Sequence, residues 1–125
     1  MGAITTQVIT SQRGAELNGT VLLYGAISEN NLATFQDGFE TDLQGVLDTI
    51  KADFQKETLL VLGAEDSIFG YQYTIENAAY YSAYTFLYIS GADHRFGYMA
   101  DRATVITTEA VIDFLNRIGT AEPAA

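Results

Sequence analysis

Between positions 32 and 54 the apolar residues Leu32, Phe35, Phe39, Leu43, Val46, Leu47, Ile50 and Phe54 recur mostly at steps of three and four. That spacing lays all of them on one stripe of a helix, with Asp37, Asp42, Gln44, Asp48, Lys51 and Asp53 on the opposite side. An apolar stripe of this length has to be buried against something apolar. The chain supplies it on either side in sequence: residues 20–27 and 59–63 are short, continuous apolar runs, the pattern of strands covered on both faces. The spacing therefore predicts one long amphipathic helix over 32–54 lying on a sheet. Gly38 and Gly45 fall inside it. Each weakens a helix by about 1 kcal/mol relative to alanine, so they mark close packing or a break.

The remaining segments read more like strands than helices. Residues 4–10 are rich in threonine and β-branched side chains, which predicts a strand. A loop follows over 11–19, with Gly14, Asn18 and Gly19. Phe69, Tyr71, Tyr73 and Ile75 alternate with Gly70, Gln72 and Thr74, a period of two and a further predicted strand. Residues 80–89 are apolar on both faces and predict another, with a helical alternative open over 76–84. A last strand is predicted over 97–106. Thr107 or Thr108 then caps a short helix with Val111, Phe114, Leu115 and Ile118 on its apolar face, and Gly119 ends it. Residues 120–125 form a frayed tail.

The resulting order, β-β-α-β-β-β-β-α, predicts an α+β single domain over 1–119. Its sheet is expected to be mostly antiparallel and packed against one long and one short amphipathic helix. This order of elements resembles that of longin-like and roadblock-like modules. The resemblance implies a protein-binding adaptor and transfers no functional residue.

Composition removes several classes of function. There is no cysteine, which excludes disulfides, thiolate metal sites and a cysteine nucleophile. Sixteen acids oppose six bases for a net charge of -10, and Arg13, Lys51, Lys56, Arg95, Arg102 and Arg117 are scattered. No basic patch offers itself to nucleic acid or an anionic membrane. No run reaches the roughly 20 apolar residues of a membrane span, and no signal peptide is visible, so a cytoplasmic protein is expected. No cofactor or metal is expected. The single histidine rules out a multi-histidine centre, and Glu65, Asp66 and Glu76 match no calcium-loop spacing and read as polar turn residues.

Two sets of residues remain as site candidates. His94, in Asp93-His94-Arg95, is the nearest approach to a general base, with Asp93 as the neighbouring acid. Neighbours in an extended chain point apart, so a solvated turn is the plainer reading. Tyr71 and Tyr73 would share one strand face and Tyr84 and Tyr88 another, as binding residues lining a ligand pocket, as an assembly surface, or as core. There is no phosphate loop and no Gly-x-Ser-x-Gly elbow. These observations favour a non-enzymatic structural or assembly subunit that self-associates, of the kind found in small virions, with a second copy or another protein as partner. The alternatives are the adaptor module, and a small-molecule-binding or enzymatic domain with a tyrosine-lined pocket.

Overall fold

The computed structural model describes residues 2–66, 71–90, 92 and 100–119, with the backbone alone at 71, 73, 74 and 100–104. The elements are α1 (Gly2–Arg13), β1 (Gly19–Leu23), α2 (Leu32–Phe35), α3 (Leu43–Asp53), β2 (Glu57–Gly63), α4 (Tyr71–Ala78), β3 (Ala83–Ile89) and α5 (Ala100–Gly119). The three strands form one sheet in the order β1-β2-β3, and both pairings are parallel. This is an α/β fold, which corrects the expected antiparallel α+β architecture and the resemblance of element order built on it.

The central strand explains the sheet. From Thr58 to Gly63 every residue of β2 is buried, as a strand covered on both faces requires. Register alternates its side chains between two cores. Leu60 lies between Leu22 and Phe86, and joins Ile4 of α1, Leu43, Val46, Leu47 and Ile50 of α3, and Ala78 at the end of α4. Leu59 and Val61 turn the other way, onto Phe114 and Ile118 of α5. Parallel neighbours need a crossover between them. Both crossovers, through α3 and α4, run over the α1 face, as two connections of one hand require in a sheet that steps steadily from β1 to β3.

Three predicted strands are helices. Residues 4–10 belong to α1, where Ile4, Gln7 and Thr10 form the buried stripe. The hydroxyls of Thr6, Thr10 and Ser11 donate to the carbonyls of Gly2, Thr6 and Val8, so hydroxyl-bearing residues that favour strands are accommodated inside the helix. Residues 71–75, predicted as a strand, open α4, and α5 takes in residues 100–106. The predicted long helix breaks at Gly38. A single 3₁₀ turn, Gln36–Gly38, ends in an extended Phe39, and Asp42 restarts the helix by accepting from the Gln44 amide at 3.1 Å. The Gln36 side chain clamps the break, accepting from the Leu43 amide at 2.8 Å and donating to the Thr41 carbonyl at 2.8 Å. The predicted strand start at Phe69 and the tail at 120–125 lie outside the described residues. Among the described residues no helix is long and apolar enough to cross a membrane.

Candidate functional site

In a parallel sheet every strand ends at the same edge, and the loops leaving that edge are where α/β folds place their chemistry. Among the described residues three segments leave it: residues 24–31 after β1, 64–66 after β2, and Ser90 with Ala92 after β3.

The first segment leaves the sheet through a left-handed residue. Tyr24 has φ of 54°, unusual for any side chain other than glycine, asparagine or aspartate. It is held there from two sides. Its amide donates to the Val61 carbonyl at 2.7 Å, and its phenol lies 3.0 Å from the Thr107 hydroxyl of α5. Beyond it the backbone is buried and satisfied by amide side chains. Gln7 Oε1 accepts from the Ile27 amide at 2.9 Å, and Asn77 Nδ2 donates to the Ile27 carbonyl. Asn31 accepts from the Ser28 amide at 2.7 Å and donates to the Ala26 carbonyl at 3.2 Å. Ser28 Oγ donates to Glu76 Oε2 at 3.2 Å. Hydrogen bonds from Asn30, then Gln72 and Ser28, hold the Glu76 carboxyl below the usual range against its partial desolvation. Ser28, Asn30, Lys51, Glu76 and Tyr80 line a cleft of about 300 Å³ on the helical face.

The second and third segments are stitched to each other. The Ala64 amide donates to the Ile89 carbonyl at 2.9 Å, and the Glu65 amide donates to the Ala92 carbonyl at 2.8 Å. Asp66 follows, its amide on the Gly63 carbonyl at 3.2 Å and the residue only 8 % exposed. The expected turn is present at Ala64 and Glu65, with Asp66 buried beside the end of the central strand and Ser67 outside the described residues. Glu65 is exposed, and Glu76 belongs to the other cleft on α4. Among the described residues no three metal-ligating side chains cluster.

Asp93 and His94 lie outside the described residues, and they follow Ala92 directly in sequence. Of the tyrosines proposed for binding, Tyr84 and Tyr88 sit on β3 at the sheet edge, 54 % and 46 % exposed, with the Tyr88 ring stacked on Phe86. Neither lines the cleft at Glu76 or a second cleft of about 340 Å³ beside Phe54 and Thr49. Tyr71 and Tyr73 stand in the first turn of α4. Among the described residues the buried tyrosines are Tyr24, Tyr80 and Tyr81. Burial pushes the Tyr81 phenol strongly upward, and burial with the nearby Glu29 raises that of Tyr80.

An all-parallel sheet, covered on both faces and carrying its polar groups at the carboxyl edge, places the chain in the α/β class. No protein-family model matches it, and no curated protein matches its sequence. Solved structures do match its fold. Est1E from Butyrivibrio proteoclasticus aligns with a TM-score of 0.72 at 15 % identity, over 95 % of this chain and 58 % of that one. The same protein with ferulic acid bound aligns with a TM-score of 0.72 at 16 % identity, over 95 % of this chain and 57 % of that one. This chain therefore spans less than two thirds of the structures it resembles. The solved structures that share this fold are of Est1E and not of an assembly protein, which corrects the expectation of a self-associating assembly subunit.

Proposed function

We propose that the chain forms an enzymatic α/β domain of hydrolase type, acting on a small-molecule ester, with His94 as general base and Asp66 as the carboxylate that orients it. One observation carries this reading: the turn bearing Asp66 is hydrogen-bonded directly to Ala92, two residues before His94, at the carboxyl edge of the sheet. The order of acid before histidine along the chain is the order found in α/β-hydrolases. The fold likeness to Est1E, a protein seen with ferulic acid bound, supports a small-molecule substrate.

In such a pair the carboxylate accepts from one ring nitrogen, which fixes the tautomer and leaves the other nitrogen free to take a proton from an attacking hydroxyl. Asp66 is buried, and a buried carboxylate interacts more strongly with a partner than one in water. The sequence contains no Gly-x-Ser-x-Gly turn and no cysteine, so the attacking group is assigned to no residue of this chain.

The test uses the single histidine. Its ring resonance needs no assignment by mutation and can be followed through pH by NMR. Removing a nearby negative charge disfavours the imidazolium, so Asp66→Asn should lower the His94 titration midpoint by about one unit. Asp93→Asn should lower it less. A midpoint indifferent to Asp66→Asn, or one that falls further with Asp93→Asn, contradicts the assignment.

A further inference from the structure

Apolar side chains stand on two sides of α5, and the sheet takes only one of them. Phe114 and Ile118 are buried, and Ile106, Ala110 and Val111 pack partly against the same cluster. On the other side Val105, Ile112 and Leu115 are 54 %, 51 % and 51 % exposed. A helix apolar on one side needs one partner, and a helix apolar on both is one that is covered on both. Isolated apolar residues on a surface are ordinary, but these are not scattered. With Thr108 they run Val105, Thr108, Ile112, Leu115, at steps of three, four and three. That is the a-and-d spacing of a heptad, the seam along which one helix packs on another. The stripe stands on a convex helix surface, which suits a second helix and not a small molecule, whose sites are concave.

The charge around the stripe selects the partner. Glu109 and Asp113 are exposed along its border, on a chain whose net charge is -10. A second copy would bring like charge against like, and an anionic membrane is repelled in the same way. Lysine or arginine beside an apolar stripe would meet opposite charge instead.

We propose that the outer side of α5 is a docking surface for a basic amphipathic helix of another protein. Its apolar stripe lies on Val105, Ile112 and Leu115, and its cationic side chains lie beside Glu109 and Asp113. This surface shares no residue with the Asp66–His94 pair, so each stands or falls alone.

The probe is a fluorescently labelled synthetic peptide of three heptads, with leucine at a and d and lysine at e and g. Repulsion between the lysines keeps the peptide from pairing with itself. Its binding to the full chain is followed by anisotropy, beside a matched peptide with glutamate in place of lysine. The lysine peptide should bind saturably and more weakly as salt rises, and the glutamate peptide should not bind. Ile112→Asp should weaken binding by at least about tenfold, the loss expected when one large apolar contact is removed. Glu109→Lys should weaken it and flatten the salt dependence. Ile9→Asp, at a residue 45 % exposed on α1, should leave it unchanged. Ile112 is half-exposed on the side away from the sheet, so its substitution leaves the core intact, and circular dichroism checks that each variant is folded.

No binding of the lysine peptide, or binding indifferent to Ile112→Asp, overturns the proposal. An equal loss in Ile9→Asp does the same, because it would show only general attraction to an acidic chain. A concentration-dependent dimer in light scattering that Ile112→Asp disperses would give the surface to a second copy. Binding to phosphatidylcholine vesicles that Ile112→Asp abolishes would give it to a lipid surface. Either result overturns the assignment to a basic helix.

Discussion

Leu60→Ala is expected to cost about 2–5 kcal/mol of folding stability, the range for truncating a fully buried leucine. Leu60 is the middle residue of the central strand and is wholly inaccessible. Its neighbours in register are Leu22 and Phe86, and α3 packs over it. Both flanking strands and a helix would have to move inward to fill the space, and the hydrogen-bonded sheet resists that movement. Much of the lost volume therefore stays as a cavity, which puts the cost toward the upper part of the range. For a domain whose total stability is about 5–15 kcal/mol, this is a large fraction. Leu115→Ala makes the contrast. The sequence pattern places Leu115 on the apolar face of the last helix, yet it is 51 % exposed, while Phe114 and Ile118 make the buried side. Its truncation should change stability by less than about 0.5 kcal/mol. Urea unfolding followed by circular dichroism measures both. Equal costs would contradict the packing described.

Gln7→Met is expected to destabilise by about 1–3 kcal/mol although it nearly conserves volume and adds apolar surface to a core position. Gln7 is fully buried on α1, and its Oε1 is the acceptor for the Ile27 amide. Ile27 is itself fully buried, so no water can replace the lost partner. The cost is the desolvation of an orphaned backbone N–H. The bond from Gln7 Nε2 to the Tyr81 hydroxyl, at 3.5 Å, is long and adds little. Hydrogen exchange gives a local readout: the Ile27 amide should exchange faster in Gln7→Met by more than the global loss of stability explains. A variant as stable as the wild type would mean that α1 does not bind the loop after β1 in this way.

Gln7 also shows why part of the fold was hidden. The three strands were legible because each lies in a run of apolar residues, and the central strand, buried on both faces, needs no alternation. The helix α1 was not, because its buried stripe of Ile4, Gln7 and Thr10 is two thirds polar. Gln7 is buried for a tertiary hydrogen bond to a residue twenty positions away, which no local pattern announces. At α4 the alternation of Tyr71, Tyr73 and Ile75 mimics a strand over too few residues to decide. Ile75 is 46 % exposed, whereas Asn77 and Ala78 are buried, the last on the sheet-facing core. What makes the segment helical is the need to cross over between parallel strands. The break in the long helix was half legible: Gly38 marks it, and Gln36 and Asp42 close it on both sides.

The candidate site follows the same logic. His94 is the only histidine in the sequence and Asp93 is the acid beside it, whereas Asp66, the partner proposed for it, is twenty-eight positions away. Asp66 follows the apolar run that ends at Gly63, and His94 follows the run that ends at Ile89. The strands that end at Gly63 and Ile89 are parallel neighbours, so the described residues that follow them leave the sheet at one edge.

The most direct measurement is a nuclear Overhauser spectrum of the wild-type chain, recorded for the His94 ring protons. Cross-peaks to the Asp66 β-protons, together with cross-peaks between Gly63 and Ala92, are the predicted result. Gly63–Ala92 cross-peaks with His94 showing none to Asp66 would mean that the two strand ends meet without forming the proposed pair, and would contradict the account.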